Sequence, residues 1–154
     1  MLAEDLVAIL SQKLSTAVLV TGPDLASPGP TIRYVNRAFL SLTGYTADDI
    51  VGRDPRILQG PGTSRVALAA FSRALREEGS YHGVLTNYRR GGEPYLCEID
   101  VRPLRDENGA VLAFVAFERE VVRRRGRPRA GSLGRYAPAD ESTEGELPGV
   151  FVRG

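Results

Sequence analysis

A chain of 154 residues with 42% hydrophobic content can build one compact domain around a single core, plus a tail. Its 20 basic and 19 acidic residues give a formal net charge of +1, which excludes a whole-molecule electrostatic preference for nucleic acid or membrane and leaves only local clustering. One cysteine, Cys97, rules out an intramolecular disulfide framework, and no apolar run has the length of a membrane span or a signal-peptide core, so a cytoplasmic protein without a membrane partner is expected.

In chain order, Leu2, Leu6, Leu10 and Leu14 recur every four residues and predict an N-terminal helix within residues 1–15, of roughly three turns with one apolar stripe. That stripe needs a partner, either the protein's own sheet or a second copy. TAVLVT (16–21) reads as a strand ended by Gly22, Pro23 and Asp24, and Thr31 to Val35 as its hairpin mate. Asn36 to Thr43 and Ala47 to Val51 read as short helices separated by Gly44 and Tyr45. Ser64 can cap a longer helix through Glu78, with Leu68, Phe71 and Leu75 on one face. Three strands follow, Tyr81 to Arg90, Glu93 to Leu104 and Val111 to Val121, joined by turns at Gly91-Gly92 and at 106–109. The expected architecture is α+β: a five-stranded antiparallel sheet with short helices on one face.

Near residue 121 the pattern stops. Residues 122–154 are rich in Gly, Pro, Ser and charge and read as a flexible, disordered tail, basic then acidic, with a short apolar end at Val150, Phe151 and Val152. No internal repeat is apparent.

The string of small helices in YVNRAFLSLTGYTADDIVGRDP, set between strands, resembles the PAS superfamily, which implies the PAS fold over residues 16–121. Three motifs in order, GRDPRILQGPGT (52–63), NYRRGGEPY (87–95) and PLRDENGAVLAFV (103–115), are similar to those of light-oxygen-voltage (LOV) domains. The stretch SYHGVLTNYRRGGEPYLCEIDVRPL also resembles FAD-binding, redox-sensing PAS domains. The resemblance implies a flavin pocket, and it departs from the LOV pattern at one decisive position. Pro55 stands where the reactive cysteine of that family belongs, and proline offers neither a nucleophile nor a backbone N–H.

Carried over position by position, the resemblance implies that Gln59 and Asn87 hydrogen-bond the ribityl chain and the polar ring edge, and that Arg56 pairs with an FMN phosphate. The family's second phosphate arginine falls at Ser72, with Arg73 and Arg65 close enough in sequence to substitute. Its second ring-edge asparagine falls at Cys97, and the glutamine facing the flavin N5 at Glu118.

Strand alternation places some of these residues independently. Tyr95, Cys97, Ile99 and Val101 share one face of their strand and Glu98, Asp100 and Arg102 the other, so Cys97 points inward, most simply as a small core filler. Glu118 shares a face with Leu112, Phe114 and Ala116. Either it points inward with a raised pKa, coupling a redox change in the ring to proton movement, or the strand frays and it is solvated beside Arg119. His82, the sole histidine, reads as a surface residue at a strand start rather than a heme ligand. No catalytic or metal-spacing motif is visible, so an enzyme is not expected.

In the tail, RRRGRPR (123–129) resembles the AT-hook, whose Gly-Arg-Pro core would put Arg125, Gly126, Arg127 and Pro128 in a narrow DNA minor groove. A solvated linker, or a contact to an acidic partner, is the plainer reading. Two functions remain open. One is a sensor that binds FMN, or alternatively FAD, and passes a redox or non-adduct light signal to a separate effector protein. The other is a cofactor-free PAS module whose business is homodimerisation, with DNA contact through the tail as an addition.

Overall fold

The computed structural model describes residues 3–26, 29–125, 135–140 and 142. In chain order they form α1 (Ala3–Ser11), β1 (Ala17–Thr21), β2 (Ile32–Val35), α2 (Arg37–Thr43), α3 (Ala47–Ile50), a one-turn 3-10 helix (Pro55–Leu58), α4 (Arg65–Glu77), β3 (Tyr81–Tyr88), β4 (Pro94–Arg105), β5 (Val111–Arg123) and β6 (Tyr136–Pro138). The sheet is antiparallel with order β2-β1-β5-β4-β3, and β6 also pairs with β5. This is the PAS architecture expected from the sequence. The helical middle of the chain crosses one face of the sheet, and the main core lies there, with Leu19, Phe39, Ile50, Leu58, Ile99 and Phe114 among its buried members.

Local chemistry fixes the helical middle. The Asn36 side-chain oxygen accepts from Phe39 N to cap α2 and from Val18 N in β1, while its amide donates to the carbonyls of Ser11 and Thr16. One buried side chain therefore ties α1, β1 and α2 together. Gly44 ends α2 at φ 75°, a left-handed position that a side chain would strain. Thr46 and Asp49 form a reciprocal capping box on α3, and Ser64 caps α4 by accepting from Ala67 N.

Two features depart from the sequence reading. Helix α1 packs on the opposite face of the sheet, but not through Leu6, Leu10 or Leu14; Leu2 lies outside the described residues. Val7 joins the smaller cluster of Val18, Val20, Ala113 and Val115, and buried Ser11 donates its hydroxyl to Tyr34, leaving Leu6, Ile9, Leu10 and Leu14 between 39% and 68% exposed. The second departure is in the stretch read as a patternless tail, where β5 continues to Arg123 and β6 pairs with Val121, Val122 and Arg123. The reason is a free strand edge. β1 starts at Ala17 opposite Glu118, so the lane beside β5 is open further along, and unpaired backbone there accepts another strand whatever its side-chain pattern.

Candidate functional site

Between the inner face of the sheet and the helical middle lies a cavity of about 410 Å³, within the roughly 300–1,000 Å³ of ordinary small-molecule sites. Its walls are mainly apolar, with Leu19, Leu85, Ile99 and Phe114 from the strands and Leu58 and Phe71 from the helices. Against that lining, Gln59, Asn87 and Glu118 supply polar groups, and Pro55, Arg56, Ser72 and Arg76 also border the space.

The segment 52–63 is held in place by its own chemistry. Pro55 opens the 3-10 turn at a position where no N–H is needed, and the Asp54 side chain caps it by accepting from Arg56 N at 2.8 Å. The turn that follows is locked to β3. Thr63 donates its hydroxyl to the Thr86 carbonyl at 2.6 Å and accepts from Gly60 N, while Gly62 N donates to the Tyr88 hydroxyl at 2.6 Å. A Cβ on Gly60 would lie 2.4 Å from the Tyr88 ring, so only glycine lets the two segments approach this closely. The outcome is that Gln59 and Asn87, 28 positions apart in sequence, line one cavity.

The arginines are arranged differently from the sequence reading. Arg56 borders the cavity, but its Nε and Nη2 are engaged with the Asp54 carboxylate at 3.1 and 2.9 Å. Neither Arg73 nor Arg65 reaches the wall. Arg76 does, one helical turn beyond Ser72 on the same face of α4. The i,i+4 spacing from Ser72 was the available signal, and proximity in sequence was the wrong criterion.

Glu118 points inward and is 1% exposed, which excludes the frayed, solvated alternative. Burial pushes its carboxyl up to about 7, and the Cys97 thiol, donating to its Oε2 at 3.8 Å, acts in the opposite direction. Cys97 is fully buried as expected, yet it is not on the cavity wall; it sits behind Glu118, its pKa raised by burial first and by the Glu118 carboxylate next. Beside it on β4, the Tyr95 hydroxyl is buried next to Asn87, and burial raises its pKa well above the usual value. The Arg89 guanidinium lies 4.4 Å from the Tyr95 ring centroid and pairs with Glu120. Sequence reasoning put Tyr95 on the inward face of β4 but missed its pairing with Asn87 and its contact with Arg89, which only the folded strand register brings about.

On the opposite face, Glu98 is held between His82 Nε2 at 2.8 Å and Arg119 Nε at 2.5 Å. Burial alone would raise its pKa, but these two partners outweigh it and the carboxyl is lowered. His82 is therefore a partner of Glu98, in keeping with a structural role. Among the described residues no group of three or more His, Cys, Asp or Glu side chains could hold a metal ion, and no helix is long and apolar enough to cross a membrane. Of the AT-hook-like residues, Arg125 is exposed, whereas Gly126, Arg127 and Pro128 lie outside the described residues, as do Val150 to Val152.

Comparison with known proteins agrees with this geometry. Residues 16–123 match the model of the PAS domain. The bacterioopsin transcriptional activator of Halobacterium salinarum is 38% identical over 105 residues, covering 68% of this chain and 16% of that protein. A blue-light-activated histidine kinase of Brucella anthropi is also 38% identical over 105 residues, covering 68% of this chain and 21% of its own length. Phototropin-2 of Oryza sativa subsp. japonica is 38% identical over 98 residues, 64% of this chain and 11% of that one. The chain thus spans only a minor part of these relatives. Among solved structures, a LOV domain from a study of a flavin analogue superposes with TM-score 0.68 at 29% identity, covering 74% of this chain and 83% of the other. The light-state LOV domain of the blue-light photoreceptor Aureochrome1 gives 0.64 at 31% identity, covering 74% and 87%.

Proposed function

Because the chain belongs to the PAS domain family, in its light-oxygen-voltage branch of sensory domains, we propose that its inner cavity holds a flavin and that the protein signals without a cysteinyl adduct. The observation that carries this reading is the cavity itself: apolar walls of ordinary ligand-site size, interrupted by Gln59, Asn87 and Glu118. That distribution fits a flat ring with one polar edge. A bound flavin supplies a ring that absorbs light and takes up electrons. The residues of this chain do the rest. The Gln59 and Asn87 amides orient the ring, and Arg56 and Arg76 face the phosphate of FMN, the favoured flavin. Pro55 contributes no thiol, so the response passes through hydrogen bonding and protonation. Glu118 holds or gives up a proton on β5, whose neighbour β1 is joined through Asn36 to α1.

The exposed Leu6, Ile9 and Leu10 on α1 suit contact with another chain, and a homodimer built through this helix, passing its state to a separate effector, completes the reading. An absorption spectrum of the purified protein, after incubation with FMN, FAD or riboflavin and before and after blue light, tests it. Visible flavin bands that do not bleach to an adduct are expected, and Gln59→Leu with Asn87→Leu should each weaken retention by about tenfold, the worth of one hydrogen bond. A protein that stays colourless after all three incubations would leave only the cofactor-free dimerisation module.

A further inference from the structure

Arg89 stands where three elements meet, just past the end of β3. Its Nη1 donates to the Leu42 carbonyl in the last turn of α2 at 2.7 Å, its Nε to the Glu93 carboxylate at 3.3 Å, and its Nη2 pairs with Glu120 of β5. The β3–β4 turn adds to this grip, because Arg90 N donates to the Thr43 carbonyl at 2.9 Å. Two carbonyls at the end of α2, where a helix has no bonding partners of its own, are thus satisfied by the hairpin. A guanidinium is planar with its donors in a fixed fork, and acceptors on α2, β5 and the turn leave this one little freedom to rotate.

The face of that guanidinium is used as well. Its central carbon lies 4.4 Å from the centroid of the Tyr95 ring, a cation over an aromatic face. Tyr95 is directly opposite Asn87 in the β3–β4 ladder, and its hydroxyl is buried next to that residue. Asn87 is the polar side chain that β3 gives to the cavity, whereas Tyr95 and Arg89 stand behind it and do not line the space.

We propose that Arg89 is a positioning residue for the cavity: by fixing the Tyr95 ring, it fixes the direction in which the Asn87 amide faces a ligand. Without the guanidinium the ring gains room to tilt towards the hairpin end of the sheet, and the amide beside it follows, because packed neighbours share one space. Hydrogen bonds weaken steeply with angle, so a small turn of the amide lowers affinity although Arg89 itself touches no ligand. The effect on binding rests on the flavin reading above; the placement of Asn87 does not.

Two measurements test this role. In the flavin-free protein, proton–nitrogen correlation NMR follows the side-chain amide pair of Asn87, identified by its loss in Asn87→Leu. Arg89→Leu should move that pair. Arg89→Lys, which keeps the charge without the fork, should move it less in the same direction, and Arg90→Leu, which breaks the pair with Asp49, should leave it in place. In riboflavin titrations followed by flavin fluorescence, Arg89→Leu should bind about tenfold more weakly than the wild type, as Asn87→Leu does. The double variant should bind no more weakly than Asn87→Leu alone, because Arg89 acts through that residue. An Asn87 pair that keeps its wild-type position in both Arg89 variants, an equal shift in Arg90→Leu, or additive losses in the double variant would each overturn the inference. Should Arg89→Leu fail to fold, Arg89→Lys carries both measurements. A wild type that binds no riboflavin while the Asn87 pair moves as expected would remove the flavin reading and leave the positioning role intact.

Discussion

Glu98 and Glu118 are neighbours in one sheet with opposite fates. They occupy adjacent cross-strand pairs, Glu98 opposite Arg119 and Ile99 opposite Glu118, and they are 4% and 1% exposed. Because strand side chains alternate, they point to opposite faces. On the outer face Glu98 meets His82 and Arg119 and its pKa falls; on the inner face the side chain hydrogen-bonded to Glu118 among the described residues is the Cys97 thiol, and its pKa rises to about 7. Both are buried and burial raises both carboxyls, so burial alone does not account for their opposite shifts. The partners differ: an arginine and a histidine ring nitrogen offset desolvation for one carboxyl, while a weak thiol donor leaves the other close to neutral pH, where a small change in its surroundings moves a proton.

The sharpest way to break this contrast is to take away the cation. Arg119→Ala leaves Glu98 buried with His82 alone, and a loss of about 3 kcal/mol is expected in urea unfolding, the low end for breaking a buried pair. An unchanged midpoint would mean that the outer charges are solvated and the contrast is false.

Glu118 should show its state in the pH dependence of stability. Its folded value of about 7 lies above the ordinary 4.5, so between them the folded chain binds more protons than the unfolded one. The contribution is then full below pH about 4.5 and is lost as pH rises through about 7, on the order of 3 kcal/mol. Glu118→Gln should remove this slope and be the more stable protein at pH 8. Equal slopes in the two proteins, measured by denaturant unfolding from pH 5 to 8, would place the Glu118 carboxyl in water.

Smaller effects grade the partners. His82→Asn removes one of the two donors to Glu98 and should cost about 1 kcal/mol in the same unfolding assay. Cys97→Val deletes the only hydrogen-bonded side chain seen on Glu118 among the described residues, and should move its midpoint upward by less than about one unit in a carboxyl-resolved NMR titration. A downward shift would show that the thiol does not donate to Glu118.

Much of the fold was legible in the residues. Period-two alternation placed Cys97 inward and offered the inward position as one of two alternatives for Glu118, and the cap and turn residues Asn36, Gly44 and Ser64 bounded the helices, because such signals act over a few positions. The leucine stripe of α1 left two partners open, since periodicity shows that a helix has an apolar face but not what covers it; in the folded chain Ser11 bonds with Tyr34 and Asn36 while Leu6, Leu10 and Leu14 stay exposed, so the sheet is not that partner. β6 was illegible because a strand completing a free edge is chosen by backbone groups, which every residue carries.

The candidate site divides in the same way. The residue types at positions 55, 56, 59, 87 and 118, and with them the absence of a thiol at Pro55, are properties of the sequence alone. That Arg76 rather than Arg73 or Arg65 reaches the wall, and that Cys97 stands behind Glu118, were decided only when distant segments packed. Sequence specifies which groups are present and which way each strand turns them; the electrostatic environment of a buried group depends on neighbours far along the chain, and those exist only in the folded molecule.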